Sequence, residues 1–305
     1  MNGGITMRKK LLFVYNPRSG KGRIRNYLYD IINIFTAAGY DVTAHPTQSS
    51  DDCEKTVRAL AYENDIVAVS GGDGTLNEAV SGMLSLPEEY RIPIGYIPSG
   101  TMNDFANGNG IPKDMVEAAR IIVSGKEKSY DIGRINDKKF IYVAGFGAFT
   151  EVSYGTPQVT KNVFGPAAYF VEGIKSLPKI EGIELRIKTS EGVFLEEEAL
   201  ICLLMNSTSV AGFGFGDFYN VDMNDGVFEI VVIPKSTRLS DIAAVISEIK
   251  NGERDSGGVH VISASGAVIE TENPVRWTLD GEFGGETDRV EFEVLHNAVK
   301  FIVKK

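Results

Sequence analysis

Asp65-Ile66-Val67-Ala68-Val69-Ser70-Gly71-Gly72-Asp73-Gly74-Thr75-Leu76-Asn77 joins a continuous apolar run to a glycine-rich turn, and a helical pattern follows. An unbroken run of Ile, Val and Ala suits a strand that is covered on both faces. The turn behind it presents backbone N–H groups at the start of a helix, where a phosphate can approach them. Asp73 adds a carboxylate, which repels a bare phosphate but suits one that carries magnesium. The expected occupant is a nucleotide with its metal ion.

Outward from this stretch the same unit recurs. Leu11 to Tyr15 reads as a buried strand ending at Asn16-Pro17-Arg18-Ser19-Gly20-Lys21-Gly22, and Pro93 to Ile97 as another leading to Pro98-Ser99-Gly100-Thr101-Met102-Asn103-Asp104-Phe105. Ile24, Tyr27, Leu28, Ile31, Ile32, Phe35 and Ala38 recur at helical spacing before Gly39. Further helices are predicted from Ser50 to near Tyr62, from about Leu76 to Leu84, and from Asp114 to Ser124. Strand and helix in alternation predict a doubly wound parallel sheet, covered on both faces, over residues 1–130. Ligands of such sheets sit at the carboxyl ends of the strands, where all three glycine-rich turns fall. Each turn alone reads first as a tight connection; the three together favour a phosphate site. None is a G-x-x-x-x-G-K loop, and no G-x-G-x-x-G opens a helix after a strand.

Beyond about residue 130 the rhythm changes to strands joined by turns, which predicts a second, antiparallel β-sandwich-like domain over residues 131–295. The final stretch, about residues 296–305, is expected to return to the first domain. Two helical patterns interrupt the strands, near Gly165 to Ser176 and from Leu239 to about Lys250.

Composition narrows the function. The 305 residues carry 31 basic and 41 acidic side chains, a formal charge of -10 that argues against sequence-independent nucleic-acid binding. Arg8, Lys9, Lys10, Arg18, Lys21, Arg23 and Arg25 all precede the first acidic residue, Asp30, so the amino-terminal region is locally basic, which suits either phosphates or a solvated face. Two cysteines, Cys53 and Cys202, form no disulfide or metal pattern, which points to a reducing, cytoplasmic setting. No run approaches the roughly 18 apolar residues of a spanning helix, so any membrane contact is expected to be peripheral.

Taken in order, the motifs resemble the catalytic domain of the diacylglycerol kinase family, in particular the soluble bacterial lipid kinases related to sphingosine and ceramide kinases. The resemblance rests on Asn16-Pro17-x-Ser19-Gly20, Gly71 to Asn77 and Gly100-Thr101-x-Asn103-Asp104-Phe105. It continues through Asp131-Ile132-Gly133, Gly165-x-x-Ala168-Tyr169, Asn224-Asp225-Gly226 and Asp280-Gly281-Glu282. The Gly-Gly-Asp-Gly core is shared with NAD kinases and phosphofructokinases; the Gly-Thr-x-Asn-Asp-Phe segment and the late Asp-Gly-Glu narrow it.

The resemblance implies ATP on the first domain, Mg²⁺, and a lipid alcohol as acceptor, with diacylglycerol going to phosphatidic acid. Another lipid alcohol (a sphingoid base, ceramide or phosphatidylglycerol) and an NAD kinase-like reaction stay open as alternatives. Nucleotide contacts are implied for Asn16, Pro17, Arg18, Ser19, Gly20, Lys21, Thr47, Gly71, Gly72, Asp73, Gly74, Thr75, Leu76, Asn77 and Thr101, with Lys161 a candidate for phosphate or interdomain contacts. Glu282 is the implied proton acceptor, and Asp73, Asp104 and Asp131 are implied to hold or orient the nucleotide's magnesium. A structural magnesium site is implied at Asp225, with Asp222 and Val227. Open sheet edges in the second domain would suit a homodimer.

Overall fold

The computed structural model describes residues 8–147, 181–206, 209–210, 213–214, 223–235 and 259–305. The chain divides into two compact units, Met1–Tyr130 with Ala298–Lys305, and Asp131–Asn297. It passes from the first to the second within one strand and returns within another. The helices expected near 165–176 and 239–250 lie outside the described residues.

In the first unit, β1 (Lys9–Tyr15), β2 (Tyr40–Pro46), β3 (Ile66–Gly71) and β4 (Ile94–Pro98) are all parallel, in the order β2-β1-β3-β4. The carboxyl-terminal segment adds a fifth parallel strand, with Phe301 beside Ile94 and Ile302 beside Gly95. Every residue of β3 and β4 is buried, which is why their sequences are continuous apolar runs rather than alternating ones. Four helices cover the sheet: α1 (Leu28–Ala37), α2 (Asp52–Leu60), α3 (Asp73–Leu84) and, after the short α4 (Asp104–Gly108), α5 (Met115–Ser124). Helix α1 packs with α5 and α2 with α3, one pair for each face, so the sheet is doubly wound. Asp114 fixes the start of α5, accepting from the N–H groups of Val116 and Glu117 at 3.0 and 2.8 Å.

Two boundaries differ from the sequence reading. The helix expected from Ile24 is divided into a 3-10 segment, Ser19–Asn26, and α1, with Tyr27 between them at φ -117° and ψ -2°; ahead of Ile24, Gly20, Lys21 and Gly22 take left-handed conformations with φ of 54°, 63° and 69°. The helix expected from Leu76 starts at Asp73, so the turn after β3 is only Gly71-Gly72.

The second unit begins within β5 (Lys126–Ile135) and continues through β6 (Lys138–Phe140), β7 (Val143–Gly147), β8 (Ile183–Thr189), β9 (Phe194–Met205), β10 (Ser209–Val210), β11 (Phe213–Gly214), β12 (Phe228–Pro234), β13 (His260–Ala264), β14 (Gly266–Leu279) and β15 (Glu282–Val303). Its strands are antiparallel, ordered β13-β12-β9-β7-β14-β15. Strand β8 pairs with both β9 and β14. The two long strands, β9 and β14, each pair with β8 along one part and β7 along another, which folds the sheet into sandwich-like layers. Leu185 and Ile187 of β8 alternate inward onto a core that holds the rings of Phe140, Phe228 and Phe292, and the edge-to-face pair Phe146 and Trp277 at 4.8 Å.

The apolar stretch from Phe140 to Phe146 forms two strands, β6 and β7, broken at Ile141-Tyr142. Residues 266–279 form one strand with an irregularity between Glu270 and Val275, and the stretch expected to return to the first domain is the end of the single strand β15.

Candidate functional site

The strand order reverses between β1 and β3: the chain moves outward from β1 to β2, then returns to place β3 on the other side of β1 and β4 beyond it. That switch point opens a crevice at the strand carboxyl ends, the usual ligand position in such folds. Three segments meet there. Asn16 donates from its backbone to the Ser70 carbonyl at 2.8 Å, and its amide reaches Thr75 Oγ1 at 3.4 Å. Its side-chain oxygen accepts the Arg18 N–H at 2.9 Å, closing the turn on itself. Thr47, nine-tenths buried at the end of β2, donates its N–H to the Tyr15 carbonyl at 2.9 Å.

Close approach explains the glycines. A Cβ on Gly20 would lie 1.9 Å from the Ser99 carbonyl oxygen, and one on Gly100 would lie 2.5 Å from the Gly72 Cα. The turn after β4 therefore touches both the turn after β1 and the turn after β3, through backbone atoms no side chain could separate. Ser99 donates its N–H to the Gly71 carbonyl at 2.8 Å. The candidate nucleotide residues Asn16 to Lys21, Gly71 to Asn77 and Thr101 are thus gathered by one sheet edge. Arg18, Lys21 and Thr101 are exposed, and Thr75 is buried.

Two carboxylates join this cluster. Asp73 is the first residue of α3 and accepts the Phe105 N–H at 3.5 Å, capping α4 from outside. Asp104, buried, opens α4 behind Asn103, which is left-handed with φ 55°. Asn103 pairs reciprocally with Gly100, at 2.9 Å in both directions. Beneath them the Tyr96 hydroxyl contacts the Gly71 carbonyl and Asn103 Oδ1 at 3.1 and 3.3 Å. Burial, then the charges of Asp73 and Asp104, push the Tyr96 phenol well above its ordinary range. Nothing in the sequence singled out Tyr96, which reads as one more apolar strand residue.

The remaining candidates lie in the second unit. Asp131 is fully buried; its Oδ1 accepts from His296 Nδ1 at 2.9 Å and from the Asn297 N–H at 2.6 Å, and its Oδ2 from the Gly226 N–H at 2.7 Å. Three of its roughly four lone-pair positions are taken. The carboxylate clasps the Asn224-Asp225-Gly226 turn to β15. Asp225 accepts the Val227 N–H at 3.1 Å. Among the described residues, no group of three or more His, Cys, Asp or Glu side chains is placed to hold a metal. Asp222 and Lys161 lie outside the described residues.

Glu282 is exposed and follows a two-residue turn, Asp280-Gly281, whose φ values of 48° and 86° fit a type I′ hairpin between Leu279 and Glu282. Asp280 carries a role the sequence did not show. Its carboxylate accepts the N–H groups of Ile141, Tyr142 and Val143 at 2.7, 3.0 and 3.2 Å. An Asp-Gly turn signals the hairpin but not a carboxylate turned inward onto a segment about 140 residues away.

Comparison with known proteins gives the lineage. Residues 10–135 match the diacylglycerol kinase catalytic domain, and residues 143–303 match the YegS C-terminal NAD kinase beta sandwich-like domain. A protein named diacylglycerol kinase from Staphylococcus aureus is 34% identical over 282 residues, covering 92% of this chain and 88% of the relative. A Staphylococcus saprophyticus protein of the same name is 33% identical, covering 92% and 91%. The crystal structure of a diacylglycerol kinase from Bacillus anthracis strain Sterne is similar with a TM-score of 0.82 and 28% identity, covering 99% of each chain. With both of its domains matched in order along nearly the whole length, the chain belongs to the diacylglycerol kinase catalytic-domain family.

Proposed function

We propose that this chain is an ATP-dependent lipid kinase that transfers the γ-phosphoryl group of ATP to the hydroxyl of diacylglycerol, giving phosphatidic acid. Family membership supports the lipid kinase class, and the names of the relatives supply diacylglycerol as the acceptor. The observation that carries the nucleotide half is the meeting of three glycine-rich turns at the switch point of the parallel sheet.

In this reading the first-turn N–H groups of α3 face the phosphates, since a helix start has no internal carbonyls for them. Asn16 to Gly20 shape the adjoining wall, Thr47, Thr75 and Thr101 add polar contacts, and Arg18 and Lys21 contribute positive charge. Asp73 and Asp104 fit magnesium, because two carboxylates brought to one turn cluster beside phosphate oxygens match its preference for hard oxygen ligands. A magnesium ion held by these two carboxylates would supply positive charge that offsets the charge on the phosphate oxygens. Glu282 takes the proton of the acceptor hydroxyl; that oxygen bonds to the γ-phosphorus, the bond to the β–γ bridging oxygen breaks, and ADP departs. Asp131 acts by orienting rather than by direct ligation, and Asp225, with Asp222 and Val227, would hold a second, structural ion. Lys161 adds a phosphate or interdomain contact.

A bilayer-resident acceptor makes this a peripheral membrane enzyme. Phe283, half exposed beside Glu282, gives that hairpin an apolar tip. Among the described residues no helix is long and apolar enough to cross a membrane. Phosphate transfer from labelled ATP to diacylglycerol in mixed micelles tests the proposal, with ceramide, a sphingoid base, phosphatidylglycerol and NAD as parallel acceptors. Diacylglycerol is expected to be phosphorylated fastest, and Glu282→Gln to lower kcat by about 100-fold or more. Transfer to no lipid alcohol would sink the proposal; equal rates for wild type and Glu282→Gln would remove Glu282 as the base.

A further inference from the structure

We propose that Tyr96 is a positioning residue of the nucleotide site: its hydroxyl ties the turn after β3 to the turn after β4 and so fixes where Asp73 and Asp104 present their carboxylates. The inference rests on the reading of those turns as a magnesium-nucleotide site.

Tyr96 lies in the middle of β4 and is 1% exposed, with its ring against Phe105 at 6.1 Å. An aliphatic side chain could fill such a place, and burying a hydroxyl is costly unless it is hydrogen-bonded. Here the phenol has a single hydrogen between two acceptors, the Gly71 carbonyl and Asn103 Oδ1, and neither acceptor depends on it. Gly71 O already accepts the Ser99 N–H at 2.8 Å, and Asn103 Oδ1 the Gly100 N–H at 2.9 Å. The hydroxyl therefore works as a brace between two turns that are each already closed.

The ends of the brace fall beside the carboxylates. Asp73 is two residues past Gly71, and Asp104 directly follows Asn103. Asp73 in turn accepts the Phe105 N–H, one residue past Asp104. Gly71, Tyr96, Asn103, Asp104, Phe105 and Asp73 thus form a closed circuit of covalent and hydrogen-bonded links. Both carboxylates lie near enough to Tyr96 to act on its phenol, and a frame that holds two mutually repelling charges in place suits a cation that both can share. A loosened frame would let them separate.

Tyr96→Phe removes one oxygen and keeps the ring. The measurements are calorimetric titrations of wild type and variant with ATP in magnesium and with ATP in EDTA, together with thermal unfolding of the free proteins. The expected result is a loss of about fivefold in the magnesium-dependent gain in ATP affinity, the effect of one hydrogen bond. ATP affinity in EDTA should stay within about twofold, Tm within about 3 °C, and the KM for the lipid should not move. An unchanged magnesium-dependent gain would overturn the proposal. So would equal losses with and without magnesium, which is the mark of a merely structural tyrosine. Wild type that binds no ATP in magnesium would overturn the nucleotide-site reading itself, and this inference with it; the wild-type titration separates that failure from one confined to the variant.

Discussion

Asp280 offers a sharp test of how the second unit is held together. Its carboxylate accepts three backbone N–H groups from the segment between β6 and β7, and Ile141 and Tyr142, which supply two of them, are 1% and 4% exposed. Asp280→Ala leaves those two donors buried without this acceptor, at about 1–3 kcal/mol each, while the half-buried Val143 N–H costs less. A total of about 4 kcal/mol is a large share of the roughly 5–15 kcal/mol by which a domain is stable. Asp280→Asn keeps one carbonyl oxygen but turns an amide against the remaining donors, for a loss of about 2 kcal/mol. Asp280→Gly should regain about 1 kcal/mol over alanine, because residue 280 is left-handed with φ 48°. Trp277, the only tryptophan, is buried three residues earlier on β14, so its fluorescence in urea reports the same unit. With m of about 2 kcal/mol/M, the alanine variant's midpoint should fall by about 2 M and the asparagine variant's by about 1 M. The same hairpin carries Glu282, the proposed base, so kcat should fall even where Asp280→Asn stays folded. An alanine variant with a midpoint within about 0.3 M of wild type would refute the account.

Two further perturbations probe the first unit. Gly100→Ala places a Cβ 2.5 Å from Gly72 Cα and 2.9 Å from Asn103 Oδ1, so the turns after β3 and β4 must part; ATP affinity should fall by about tenfold or more in direct titration, and unchanged affinity would show that their contact does not matter to the site. Glu78 reaches from α3 to the start of α2, accepting the Cys53 N–H at 3.2 Å, and its pKa is raised above the ordinary 4.5, chiefly by burial. Its folded-state pKa exceeds its unfolded one, so its stabilising share is fully present below about 4.5 and is lost as pH rises through the folded value. The stability of wild type relative to Glu78→Gln should therefore decline over that window in thermal melts, and a pH-independent difference would contradict it.

What could be read from the sequence followed from where the burial pattern is local. Strands β1, β3 and β4 are enclosed on both faces, and their apolar runs show it directly; β8 alternates from Leu185 to Thr189, so its period-2 pattern is equally local. The start of α3 was misplaced because Gly74 weakens a helical pattern and Asp73 looks like a turn residue, whereas Gly72 caps the helix and Asp73 lies inside it. The break at Ile141-Tyr142 was invisible: both residues are apolar, and the carboxylate that draws their N–H groups aside is Asp280. Tyr96 escaped for the same reason, since a buried tyrosine shows its ring in a sequence but not the partners of its hydroxyl.

What the sequence did not show of these residues shares a physical cause that also bears on the site. Tyr96, Asp131 and Asp280 each use one buried polar group to join backbone segments far apart in sequence. Asp131 is the telling case. A carboxylate that only had to meet a metal would keep its oxygens open toward it, yet this one accepts from Gly226 on one side and from His296 and Asn297 on the other. Its charge is thereby spent on ordering the turn that carries Asp225, the residue proposed for the structural ion. Asp131→Asn should accordingly disturb the Asp225 turn before it disturbs anything else, because the amide nitrogen would oppose the donors on one of those sides. Exposed Glu282 and partly buried Asp73 are thereby left to the roles proposed for them, while Asp131 and Asp280 hold the chain segments around them.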